Sequence, residues 1–143
     1  MTTDTRALAS DLSLAVVRLT RHLRGRRANA QASLTQLSAL ATLARDGAMT
    51  PGTLAAREKV QPPSMTRVIA SLVDLGLVER APHPTDGRQI IVTLSEAGEA
   101  LIKDETHARE VWMNERLSAL DEPQLKILRE AVGIMTSLVA DSE

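Results

Sequence analysis

Apolar positions recur in this chain at steps of three and four residues, the period of one helix face, and the pattern breaks only once at length. Leu8, Leu12, Val16, Leu19 and Leu23 predict a first helix, with Arg6, Arg18, Arg21 and Arg24 on the opposite face and "GRRANAQAS" closing the segment. A second helix is expected to start at Thr35, an N-cap candidate preceded by Leu34. It runs through Leu37, Leu40, Ala41 and Ala44 and stops at Gly47, a C-cap glycine. Thr50-Pro51, a capping hydroxyl ahead of proline at the first helical position, opens a short helix to about Glu58 with Leu54 and Ala55 inside. After the tight connection "EKVQ" a further helix begins near Pro62, where a missing proline N–H has no partner to lose. Met65, Val68, Ile69, Leu72 and Leu75 form its buried stripe, and Gly76 ends it.

The break falls at "RAPHPTDGRQIIVTL". Leu77 to Arg80 read as a short strand, and Ile90, Val92 and Leu94 alternate with Ile91 and Thr93 to give a second. The two pair as a hairpin with residues 82–88 at its tip, a loop that Pro82 and Pro84 restrict. Ser95 caps a long amphipathic helix carrying Ala97, Leu101, Ala108, Trp112 and Leu117. Asp121 is the N-cap candidate of the last helix, with Pro123 one place past the preferred position; Leu125, Leu128, Val132, Met135 and Val139 follow. The predicted class is mainly α with a small β hairpin, in which a helix-turn-helix precedes a β wing.

Composition narrows the function. A chain of 143 residues is expected to be one domain able to bury a core without staples. No apolar run approaches the ~18 residues of a membrane span, and the polar start "MTTDTRALASDL" lacks the apolar stretch of a signal peptide. Without cysteine there is no disulfide framework, thiolate metal site or cysteine redox switch, and a cytoplasmic location fits best. Trp112 is the sole aromatic, which argues against readers of RNA or single strands, because those stack bases on rings. The net charge of −1 hides an asymmetry: residues 95–143 hold eleven acids against five bases, while residues 1–30 hold six arginines against two acids. The first two thirds are therefore free to approach an anionic partner, unless the imbalance is only one between solvated faces.

A helix-turn-helix places its second helix in the major groove, and a projecting hairpin reaches the backbone or the adjacent minor groove. With Met65, Ile69 and Leu72 inward, that helix shows Pro63, Ser64, Thr66, Arg67, Ala70 and Ser71 outward. All but Arg67 are small, so the backbone can lie close to the bases. Arg67 has the fork geometry for a guanine edge or a phosphate, and Ser64 and Thr66 sit near the positive helix N-terminus, where phosphates bind. The plainer alternatives are Arg67 as a solvated helix residue and Trp112 as core or pocket wall. The basic face of the first helix reads as solvated or dimer-facing before it reads as a DNA contact. His83 makes a poor metal ligand with only His22 and His107 elsewhere. No Gly-rich phosphate loop or paired-carboxylate motif stands out, so neither an enzyme, a metal nor a cofactor is expected.

These residues carry a resemblance. The stretches "LTQLSALATLARDG" and "MTPGTLAAREKVQPPSMTRVIASLVDLGLVERAPHPTDGRQIIVTLSEAG" resemble the MarR family of winged helix-turn-helix transcription regulators, and helix order and length agree over nearly the whole chain. The family's wing carries an Asp, two Arg and a strand ending in Val-x-Leu-Thr-x-x-Gly; here stand Asp86, Gly87, Arg88, Val92, Leu94, Ser95 and Gly98. In relatives the first arginine of the pair can enter the minor groove, while the second often braces the wing aspartate. With Gly87 in the first place, Arg88 is reader, brace or both, and His83 is a further candidate for phosphate contact. The resemblance implies residues 35–98 as DNA-binding lobe and 1–30 with 99–143 as a helical dimerisation lobe of a single 1–143 domain. Leu8, Leu12, Leu125, Leu128, Val132 and Met135 are the expected interface of a homodimer that binds pseudo-palindromic double-stranded DNA. It also implies a repressor released by a small aromatic or anionic ligand, for which Arg18, Arg21, His22 and Trp112 are the pocket candidates. The competing class is a winged-helix protein-interaction module that has lost specific DNA binding, which Gly87 and the near-neutral charge keep open.

Overall fold

The computed structural model describes residues 3–24 and 32–140; residues 25–31, expected to close the first helix, lie outside the described residues. The elements run α1 (Thr3–Arg24), α2 (Leu34–Asp46), α3 (Pro51–Glu58), α4 (Pro62–Asp74), β1 (Val78–Pro82), β2 (Ile90–Leu94), α5 (Glu96–Leu117) and α6 (Glu122–Ala140). The chain forms two compact units, one up to Arg109 and one from Glu110 onward.

In the first unit the core is built from α2, α3, α4 and the hairpin. Leu40, Leu54, Met65, Ile69, Leu72 and Val92 are fully buried there, each such side chain contributing roughly 1.5–3 kcal/mol by leaving water. Helix α2 starts one residue before the expected cap. Ser33, not Thr35, is its N-cap: its Oγ accepts from Gln36 N at 3.2 Å, and Gln36 Oε1 accepts from Ser33 N at 2.7 Å. This reciprocal box satisfies two otherwise unpaired donors, which outweighs what a lone Thr hydroxyl offers two residues later. The buried face of α2 is Ala39, Leu40, Thr42 and Leu43, so Ala41 and Ala44, expected inside, are exposed.

Thr50 and Pro51 start α3 as the sequence indicates, Thr50 Oγ1 accepting from Thr53 N at 3.2 Å. Thr42 Oγ1 donates to Glu58 Oε2 at 2.9 Å and Arg57 pairs with Asp46 at 3.0 Å, so the C-terminal end of α3 is tied to α2. The stripe of α4 is Met65, Ile69 and Leu72, with Val68 half-buried; Leu75, expected in that stripe, is the exposed C-cap instead. Gly76 follows at φ 73°, donating to Val73 O, while Leu77 N donates to Leu72 O, both at 2.9 Å. Such a double bond around a left-handed residue is the glycine-terminated helix end, and it aims the chain directly into β1.

The hairpin is antiparallel, Val78 opposite Leu94 and Pro82 opposite Ile90. Its strand β1 begins one residue later than expected and runs to Pro82, which moves the seven-residue tip by one place, to residues 83–89. Val92 alone of the alternating set is wholly buried, Ile90 being exposed near the tip. A third, one-residue edge pairs with it: Met49 N donates to Val92 O at 3.1 Å and Val92 N to Met49 O at 2.7 Å. Ser95 then closes the base of the wing, its Oγ donating to Gly76 O at 2.6 Å and accepting from Gly98 N at 3.0 Å. Gly98 lies so close to the Leu77 carbonyl that a Cβ would collide with it. Leu101 is buried one turn on, whereas Ala97, expected inside, is exposed.

Helix α1 carries its apolar stripe into solvent: Leu8, Val16 and Leu19 are exposed, and Leu12 and Leu23 half-buried. The second unit repeats the theme. Asp121 caps α6 through a second reciprocal box with Gln124 (2.9 and 3.1 Å), and α6 buries no residue at all, leaving Ile127, Val132, Ile134 and Leu138 at least 60% exposed. On the α5 part of this unit Arg116 lies over the Trp112 ring, 5.3 Å from its centroid. No helix among the described residues is long and apolar enough to cross a membrane.

Candidate nucleic-acid interface

Two adjoining features of the first unit make the site: the outer face of α4 and the wing. On α4, Pro63, Thr66 and Arg67 are exposed, while Ser64, Ala70 and Ser71 are half-buried. Arg67 is therefore the one long cationic side chain on a face of small residues, and no carboxylate among the described residues pairs with it. Thr66 Oγ1 gives its proton to Pro62 O at 3.0 Å. Ser71 gives its own to Val68 O at 2.6 Å and accepts from Gln36 Nε2 at 2.9 Å, so this side chain is turned toward α2.

The wing tip is organised by its own side chains. His83 N donates to Gln89 O and Gln89 N to Asp86 O, at 3.1 and 3.0 Å. His83 Nδ1 accepts from the backbone N–H groups of Thr85 (3.2 Å) and Asp86 (3.1 Å), so one ring nitrogen is engaged in shaping the turn. Asp86 is the centre of the tip: Oδ1 accepts from Arg88 N at 3.1 Å and Arg88 Nε at 3.3 Å, and Oδ2 accepts from Gln89 Nε2 at 3.1 Å. The Arg88 backbone N–H first, then Gln89 and the Arg88 guanidinium, hold its carboxyl below the ordinary 3.8. Arg88 nonetheless leaves 92% of its side chain in solvent, because the pair is made through Nε. One arginine thus braces the turn with its inner nitrogen and presents its outer fork. Gly87 is exposed, with open space where a side chain would stand.

Sequence reasoning passed over three contributors. Gln36 was reachable from the Ser33-x-x-Gln36 spacing, which is that of a capping box. Gln89 and Met49 left no signal, since one reaches its role through a loop turn and the other through a single bridge.

The unit also holds a cleft of about 580 Å³ among α1, α2 and α5, with Leu23, Leu34, Leu37 and Ile102 as apolar wall, Arg24, Arg109 and Glu58 as charged lining, and the buried Glu105 among them. Arg21 lines a neighbouring hollow with Val16, Val17, Thr20, Arg24 and Leu34. Arg18 and His22 line neither, and Trp112 belongs to the second unit. No three His, Asp or Glu side chains gather in a metal-holding group among the described residues.

A short helix, a turn, an exposed second helix and a braced two-stranded wing define a winged helix-turn-helix DNA-binding protein. The sequence profile of the MarR family matches residues 32–90. An uncharacterised HTH-type transcriptional regulator of Mycobacterium bovis is 59% identical over 94% of both chains. A putative transcriptional regulator from Pseudomonas aeruginosa superposes with a TM-score of 0.85 at 30% identity, over 98% of this chain and 99% of that one. A MepR variant of S. aureus, solved bound to an oligodeoxyribonucleotide, has the same fold at a TM-score of 0.69 and 16% identity, covering 92% and 97% of the two chains. The chain belongs to the MarR family of transcriptional regulators, and its relatives are regulators rather than enzymes.

Proposed function

We propose that the protein is a homodimeric repressor that binds a pseudo-palindromic duplex and is released by a small ligand. The observation that carries the DNA reading is the pairing of two outward arginines: Arg67 on the small-residue face of α4 and Arg88 at the wing tip. Arg67 suits a guanine edge in the major groove, and the Arg88 fork suits the minor groove or its flanking phosphates. Pro63, Ser64 and Thr66 line the approach, while His83, Asp86 and Gly87 shape the wing that carries Arg88.

The apolar stripes of α1 (Leu8 exposed, Leu12 half-buried) and α6 (Leu128, Val132 and Met135 exposed, Leu125 half-buried) support dimerisation, since a monomer gains nothing by exposing them. A twofold dimer offers two recognition helices and half-sites about one DNA turn apart, roughly 34 Å. The 580 Å³ cleft has the size of a small-molecule site, and Arg24 and Arg109 at its rim suit an anionic aromatic ligand. Such a ligand acts only by favouring one arrangement of the dimer over another.

Binding to genomic duplex fragments over a salt series tests this reading. A regulator selects an inverted repeat and loses affinity steeply as salt rises. Equal, weak binding to every fragment would sink it and leave the protein-interaction module.

A further inference from the structure

We infer that Gln36 is a positioning residue for DNA recognition: through Ser71 it sets the seat of α4 on the start of α2. The inference rests on the DNA-binding reading above and adds a residue outside the DNA-facing surface. The Gln36 amide is used at both ends. Its Oε1 accepts from Ser33 N at 2.7 Å, which leaves Nε2 as the donor that meets Ser71 Oγ at 2.9 Å. Because only the amide oxygen can accept from an N–H, the orientation of the group follows from the network.

Ser71 completes a one-way relay. Its single hydroxyl proton goes to Val68 O at 2.6 Å, so toward Gln36 it acts only as an acceptor. Phosphate oxygens and the purine N7 and O6 edges are themselves acceptors and need a donor from the protein. A half-buried Ser71 whose proton is already placed is poorly suited to either, although it lies on the helix that carries Arg67. The pair instead fixes α4 about its own axis, one turn beyond Arg67, and thereby fixes the direction in which Arg67 leaves the helix. A side chain as long as arginine turns a small rotation of its helix into a large displacement of its fork, so operator preference is sensitive to this seat.

The test is a double-mutant cycle of Gln36→Ala and Ser71→Ala, read as affinity for a duplex selected by the wild-type chain from a randomised pool, relative to a scrambled duplex at the same salt. Ser71→Ala keeps the α2 capping box whole, and the capping loss in Gln36→Ala is common to the single and double variants, so it cancels in the cycle. The expected result is a loss of about 3- to 10-fold in the selected-to-scrambled ratio for each single variant, with the double variant no worse than Gln36→Ala alone. Additive losses would overturn the inference by making Ser71 an independent DNA contact. An unchanged ratio in Gln36→Ala would overturn it too, reducing the pair to a structural contact visible only in the melting temperature. Failure of the wild-type chain to select any sequence would count against the regulator reading itself, and is separable from both.

Discussion

Arg88 holds two positions at once, and the atoms that do each job differ. Its backbone N–H and Nε secure Asp86, while the rest of a 92% exposed side chain stays available. Arg88→Ala is therefore expected to lower DNA affinity with little movement of the melting temperature. The backbone bond and Gln89 keep Asp86 partnered without the side chain. A large melting shift with unchanged affinity would make it a brace alone. Arg67→Ala should relax base preference by roughly 1–3 kcal/mol if Arg67 reads guanine, measured by selection from a mixed duplex pool; a uniform loss across sequences would assign it to phosphate. The wing has a defined acid limit. The Asp86 pKa lies below the ordinary 3.8, so its contribution is complete above the unfolded value and is lost as pH falls through the lower folded one. The Arg88 amide resonance should follow the Asp86 carboxyl and titrate with a midpoint below the ordinary 3.8. Asp46, lowered chiefly by Arg45, follows the same sign.

At the scale of elements, the joint between α4, β1 and α5 is the least tolerant place in the first unit. A methyl group at Gly98 meets backbone, the Leu77 carbonyl, which cannot swing aside as a side chain can. Gly98→Ala is expected to cost about 1–3 kcal/mol in denaturant titration, and Ser95→Ala about 1 kcal/mol through the lost cap. The elements legible in the sequence were those with local chemistry at their ends: Thr50-Pro51, Gly47, Gly76, Ser95 and Asp121 all mark boundaries through their own hydroxyl, ring or left-handed backbone. At the start of α2 the hydroxyl of Thr35 is the visible signal, yet the cap is Ser33, because only Ser33 has Gln36 three places on. The signal is also weak at small residues, since Ala41, Ala44 and Ala97 fit the helical period yet gain little by burial and do not constrain which way the helix turns. Val68 to Leu75 shows the same limit at a helix end, where the last apolar position rides the cap rather than the core.

For the whole molecule, periodicity revealed that α1 and α6 have apolar faces but carried no information on what covers them. The wing itself was legible through the order of residues along the chain, whereas the Gln36–Ser71 contact was not, because thirty-five residues separate its two ends. The proposed dimer gives those open faces a partner. Val132→Glu, at a site 60% exposed in the single chain, should leave the subunit's helices intact. It should convert a dimer to a monomer in analytical ultracentrifugation, since a charge buried without a partner costs about 3–5 kcal/mol. Operator affinity should fall with it; an unchanged dimer would place the interface elsewhere.

Trp112 is the chain's single aromatic residue, without tyrosine or phenylalanine beside it. Its ring lies under the Arg116 cation. Ultraviolet emission from this protein therefore originates at one indole in the second unit, with no background to subtract and no energy transfer to untangle. A shift in its wavelength or quenching is a local report on that helix, obtained without any label.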